Sequence, residues 1–140
     1  MSIEVLTRPG RRPFPPRVTD ATAPFWDSLA QGRFRTTRCE ACGRLSFPPK
    51  AICPHCWSRR IAWQDLSGRG RLYACTVVHA APAAFRHEAP YRVAIVDLDE
   101  GVRLATRLLG DGPAALDRPV RLVALRYEDG PLFAASPDIG

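Results

Sequence analysis

The sequence predicts a mainly β protein with an N-terminal helix, a four-cysteine zinc ribbon and a C-terminal five-stranded OB-fold barrel. Three observations predict it. Four of the five cysteines fall in one stretch, CEACGRLSFPPKAICPHC, residues 39–56. Five short segments of alternating apolar and polar residues follow Gly70. A chain of 140 residues, 46% of them hydrophobic, has the size of one ordinary domain or of a small module joined to a small domain.

In chain order, residues 1–19 form a basic arm containing RPGRRPFPPR. Its prolines keep it extended rather than helical, and it is expected to stay loose until a partner orders it. Residues 20–67 hold the helix and the ribbon. In DATAPFWDSLAQG, Asp20 or Thr22 caps a short helix, Pro24 suits its first turn and Gly32 ends it. Phe25, Trp26 and Leu29 then share one apolar face. RFRTTRC and IAWQDL read as strands flanking the cysteines.

Cys39 and Cys42 form one C-x-x-C, and Cys53 and Cys56 another, ten residues apart. Each pair can bend into a knuckle, and two knuckles present the four soft tetrahedral ligands that structural zinc prefers. Gly43 suits the positive φ such a turn needs. Two disulfides or four unrelated thiols are the alternatives. The N-terminus has no apolar core behind its charges, so no secretory signal is expected. No apolar run reaches membrane-spanning length. A cytoplasmic location is therefore the default, and there clustered cysteines serve metals rather than disulfides. A four-thiolate site has no open position for water, so the zinc is structural. His55 lies inside the second knuckle and reads as a neighbour, not a ligand.

Residues 68–140 carry the barrel. RLYACTVVH (71–79), RVAIVDLD (92–99), VRLATRLL (102–109), VRLVALRY (120–127) and LFAAS (132–136) are its strands. DLDEGV turns the second into the third, with Gly101 free to adopt positive φ. PAALD (113–117) is the one candidate helix. Five short strands of this kind suggest a Greek-key barrel of the OB type. AAPAAFRHEAPY, between the first two strands, is a surface loop suited to binding.

Catalytic motifs are missing: there is no Gly-x-Ser-x-Gly elbow, His-Glu-x-x-His helix or phosphate-binding loop. Cys75, mid-strand, reads as a buried structural thiol rather than a nucleophile. His79 and His87 flank the loop without a nucleophile or carboxylate beside them in sequence. Charge opens a second class of function. Residues 1–71 hold 13 basic against 5 acidic residues, a formal +8, and the remainder holds 7 against 9, a formal −2. A basic ribbon beside an OB-fold suits single-stranded nucleic acid, yet RVAIVDLD and VRLATRLL carry no aromatic ring for base stacking.

The order PFWDSLAQGRF, RC-x-x-CG, FPP, CPHC, LSGRGRLYACTVVH and PYRVAIVDLDEGVRLATRLL resembles the bacterial and archaeal zinc-ribbon/OB-fold proteins known as domain-of-unknown-function family thirty-five. The resemblance spans about residues 20–137. Near the end, GPLFAAS stands where members carry an lPvF element. The resemblance implies a non-catalytic accessory subunit that binds acyl-CoA. Such a subunit docks, as a hetero-oligomer, onto a thiolase-superfamily or lipid-transfer-protein-like enzyme. Structural zinc and a coenzyme A thioester are its implied cofactor and ligand.

Two sets of residues are candidates for that role. Arg103 and Arg107 alternate on one face around small Ala105, and their guanidinium groups match phosphate oxygens; a solvated outer face is the alternative. Phe47, Pro48, Pro49, Phe85 and Tyr91 sit on stiffened loops and suit a partner interface, or else Phe47 and Tyr91 fill the seam between ribbon and barrel.

Overall fold

The computed structural model describes residues 2–138. Its elements are β1 (Glu4–Thr7), α1 (Ala23–Ala30), β2 (Phe34–Cys39), β3 (Leu45–Ser46) and β4 (Ile61–Leu66), followed by β5 (Arg69–Val78), β6 (Tyr91–Leu98), β7 (Arg103–Leu108), β8 (Pro119–Tyr127) and β9 (Gly130–Pro137). β3, β2 and β4 make the small ribbon sheet. β5, β6, β7, β9 and β8 pair in that order, and β8 returns to β5, so the five expected strands close into an OB barrel.

Alternation decides which face is interior. Leu72, Val96, Leu104, Leu122 and Ala135 are buried inside, whereas Arg71, Asp97, Arg103 and Arg121 alternate outward. The closing contact is thin: β7 meets β9 in parallel at Leu108 and Ala135. The Thr106 hydroxyl, which donates to Phe133 O at 3.2 Å, reinforces it. PAALD forms no helix. Residues 113–117 run as a loop, with Ala114 packed on the core.

The arm departs from expectation. It is extended, but residues 4–7 are a strand, paired in parallel with β8 from Glu4↔Val123 to Thr7↔Arg126. The reason lies in β8. One of its edges pairs with β9 along its whole length, while β5 covers the other edge only at residues 119–121. β1 satisfies the backbone groups that β5 leaves open.

α1 begins after Thr22, but the Thr22 hydroxyl accepts the Thr19 N–H at 2.9 Å rather than capping the helix. The helix buries Phe25 and Leu29. Phe25 meets Phe34 of β2, Phe47 and Phe133 of β9, with centroids 5.3, 5.7 and 6.0 Å away. Phe47 stacks on Phe34 at 5.5 Å. Of the two readings of Phe47, the geometry places it in the seam. Pro49 beside it is buried and Pro48 is exposed.

Ser67-Gly68-Arg69-Gly70 joins ribbon to barrel. Ser67 N–H donates to Glu100 at 2.8 Å, tying the linker to the β6–β7 turn. Gly68 takes φ +78° against Ile3, and Gly101 takes φ +94° in the hairpin, as its sequence predicts. At Gly70 a Cβ would lie inside contact distance of the Asp97 carbonyl and 3.0 Å from Leu98 Cα, backbone that cannot yield. Gly70→Ala is therefore expected to cost about 1–3 kcal/mol, whereas Gly112→Ala, into open space, should stay within about 0.5 kcal/mol. Urea unfolding of the two variants checks this; equal midpoints would contradict it.

Candidate functional site

β2 and β3 carry the first knuckle, and the loop before β4 carries the second. The two repeat one geometry. Gly43 N–H donates to Cys39 O at 2.8 Å and Trp57 N–H to Cys53 O at 2.9 Å, each from a residue with positive φ, +78° and +67°. The loops converge so that the four sulfurs lie within 4.8 Å of one another, with Cys39–Cys56 at 3.5 Å and Cys42–Cys53 at 3.6 Å. A zinc ion with Zn–S of about 2.3 Å requires S···S separations of about 3.8 Å.

Their acidities point the same way. The Cys42 N–H, 3.4 Å from Cys39 Sγ, is the main cause that brings the Cys39 thiol down to about 6. At Cys56 the Ser58 N–H also favours thiolate, but Cys39 Sγ, burial and the other two sulfurs push it up to about 12. The site takes its first negative charge readily and resists the last. A divalent cation removes that conflict, so the donor set fits structural zinc.

The second feature is an apolar groove of about 290 Å³ on the outer face of β6 and β7. OB-folds bind ligands on this face, between the loop after the first barrel strand and the loop before the last. Phe85, from the 3-10 turn Ala83–Glu88, and Tyr91 form one side. Leu125, Tyr127 and Leu132 form the other, and Pro13 of the N-terminal segment forms a third wall. Burial pushes the Tyr127 hydroxyl up from its ordinary value.

Of the two expected arginines, Arg107 lines this groove and Arg103 does not. Arg107 bonds Glu88 at 2.9 Å and lies over Tyr91 at 4.3 Å and Phe85 at 5.4 Å, which pins the loop to the barrel. Arg103 instead makes a two-point pair with Asp97, at 2.6 and 3.0 Å, and stacks on Tyr73 at 3.7 Å. That pair holds the Asp97 carboxyl below the usual carboxylate range. Phe85 and Tyr91 come together, 6.0 Å between centroids, whereas Phe47 packs with Phe25, Phe34 and Phe133. Cys75 is half-buried against the core, and His79 and His87 are exposed.

Two features escaped the sequence reading. Trp57 is 78% exposed despite its size. Aligning CEACG with CPHCW gives the signal: tryptophan stands where the first knuckle has the glycine that positive φ favours. Pro13 escaped because nothing local says where the arm lies.

Two family models match adjoining parts of the chain, "ChsH2, rubredoxin-like zinc ribbon domain" over residues 26–62 and "ChsH2, C-terminal OB-fold domain" over residues 63–125. A "DUF35 domain-containing scaffold protein" of Methanocaldococcus jannaschii is 41% identical over 78 residues, 54% of this chain; the match spans about half, 55%, of that relative's length. The "Benzoylsuccinyl-CoA thiolase subunit BbsA" of Thauera aromatica is 31% identical over 74% of this chain and 73% of its own. A solved "Ltp2-ChsH2(DUF35) aldolase" superimposes with TM-score 0.77 at 34% identity, over 88% of this chain and 98% of that one.

Metal analysis of purified protein is expected to return about one zinc per chain. Replacing Cys39 or Cys53, the buried pair, with serine should remove the metal and unfold the ribbon, because metal binding supplies its folding energy. Less than half an equivalent of zinc, with the thiols oxidised in pairs by mass, would defeat the assignment.

Proposed function

The chain belongs to the ChsH2/DUF35 family of zinc-ribbon/OB-fold proteins, and we propose that it is a non-catalytic accessory subunit. In this reading the barrel groove holds the acyl end of a coenzyme A thioester, and the protein docks as a hetero-oligomer onto a thiolase-superfamily enzyme. Zinc held by Cys39, Cys42, Cys53 and Cys56 is structural. The complex works in the cytoplasm, where thiols stay reduced.

One observation carries this reading: the groove can hold an acyl chain but has nothing to transform it. Its lining is apolar apart from Arg107, Thr106 and two tyrosine hydroxyls, and holds no carboxylate, histidine or cysteine. Thr106 is occupied by Phe133 O, and Tyr127 is displaced towards neutrality. Neither a general base nor a nucleophile faces the bound group. The relatives named as a scaffold and as a thiolase subunit support the same division of labour. The groove disfavours single-stranded nucleic acid, since its one cation is already paired with Glu88.

For docking, Trp57 is the anchor that the fold does not need. A non-glycine residue at φ +67° carries a cost of about 1 kcal/mol or more, and the exposed ring recovers none of it within the chain. Exposed Arg59 follows two residues later, while Arg60 faces Glu40 at 3.9 Å, so the partner surface it fits is an apolar slot with an acidic group on the Arg59 side.

Calorimetry on the purified chain is expected to show octanoyl-CoA binding more tightly than coenzyme A, without thioester hydrolysis. Arg107→Ala should weaken octanoyl-CoA binding about fivefold and Arg103→Ala should leave it unchanged. Equal binding of the two ligands would remove the acyl site. Co-expression with a thiolase-superfamily enzyme, followed by size exclusion, tests docking. Trp57→Gly should raise stability by about 1 kcal/mol while weakening that complex; failure of the wild type to form a complex would sink the accessory role.

A further inference from the structure

The N-terminal segment does more than cover a strand edge. After β1 its backbone stays fastened to the β8–β9 hairpin: Arg8 N–H donates to Arg126 O at 2.8 Å, and Glu128 N–H donates to Gly10 O at 2.9 Å. Arg12 then locks the segment. Its N–H donates to Asp129 Oδ1 at 2.7 Å, and its guanidinium donates to Asp129 O at 2.8 Å and to Pro131 O at 3.3 Å. Both side chains are largely covered, 13% and 14% exposed. Gly130, with φ +139°, leaves the room, since a Cβ there would lie 2.8 Å from Arg12 Cζ. A covered arginine is costly unless it is paired, and here the Asp129 carboxylate and the Asp129 and Pro131 carbonyls pair it. Directly after it, Pro13 forms the third wall of the groove.

Resting on the acyl-binding reading above, we propose that residues 8–13 are a built-in part of the binding site, with Pro13 contacting the acyl chain and Arg12 acting as the positioning residue that holds it there. The segment precedes residue 26, where the matched zinc-ribbon model begins, so this wall lies outside the matched ribbon and barrel domains. Proline suits the role. Its ring is apolar and its backbone loses little freedom on being held. Arginine suits the clamp because one planar fork reaches two carbonyls while the backbone N–H engages the carboxylate.

The experiment compares coenzyme A with octanoyl-CoA on wild type, Pro13→Gly and Arg12→Ala, all as the full zinc-loaded chain. In wild type the ratio of the two affinities measures what the acyl chain contributes. Removing one proline face from that contact should lower the ratio about fivefold. Arg12→Ala should lower it by the same factor, although Arg12 touches no ligand, and the double variant should lose no more than either single one. The affinity for coenzyme A itself should not move, which separates a binding wall from a general effect on folding. Pro13→Gly leaves the Arg12 clamp in place, so it decides the question even if Arg12→Ala loosens the hairpin. A wild-type preference for octanoyl-CoA that survives intact in Pro13→Gly overturns the proposal alone. A wild type with no preference removes the acyl reading, and this proposal with it.

Discussion

Four phenyl rings hold the molecule together. Phe25 comes from the helix, Phe34 from the ribbon sheet, Phe47 from the loop between the knuckles and Phe133 from the last barrel strand, with neighbouring centroids 5.3–6.0 Å apart. None of the three units is large enough to bury much apolar surface alone. The ribbon has zinc ligands at one end and little core, the helix is eight residues long, and the barrel is closed by one thin parallel contact. Packing the rings, edge-to-face apart from the stacked Phe34–Phe47 pair, gives all three a common interior. Leu29 and Leu66 join the same buried cluster as Leu72 and Leu122.

That seam also fixes the groove. Phe133 takes part in the aromatic cluster and lines the groove as well. Its carbonyl accepts the Thr106 hydroxyl across the weak closure of the barrel. Ribbon, helix and groove therefore share one residue. Under the proposed function, a partner that engaged the ribbon near Trp57 would hold a body packed through these rings against the groove.

Charge on this chain serves local architecture more than a binding field. Arg103 is spent on Asp97 and Tyr73, Arg107 on Glu88 and two aromatic rings, Arg12 on Asp129, and Arg33 on Asp65. The formal excess of basic residues overstates the positive surface available to phosphate. The exposed pairs among these, such as Arg103–Asp97, contribute little stability each, but they set where loops and side chains lie. At Arg107 that placement shapes one wall of the groove.

The sequence by itself determined the periodic and the covalent parts of this protein. The paired C-x-x-C spacing is legible because metal coordination is a local geometric demand, and the five strands are legible because burial on one face writes a period of two. Gly43, Gly101 and the helix face of Phe25 and Leu29 follow from equally local rules. Only the tertiary structure decided what depends on contacts between distant segments. The arm became a strand because β5 leaves part of β8's edge unpaired. Phe47 entered the core because Phe25, Phe34 and Phe133, from three other elements, converge on it. Arg103 and Arg107, equivalent by alternation, parted because Asp97 and Tyr73 lie across the sheet from one and the Phe85 loop folds over the other. PAALD failed to become a helix although its residues permit one, because the end of that segment bonds to β5 instead: Asp117 N–H donates to Leu72 O at 2.7 Å and Leu72 N–H to Arg118 O at 3.0 Å. Local periodicity records which face is buried, and it carries no information about which distant residue will occupy the other side.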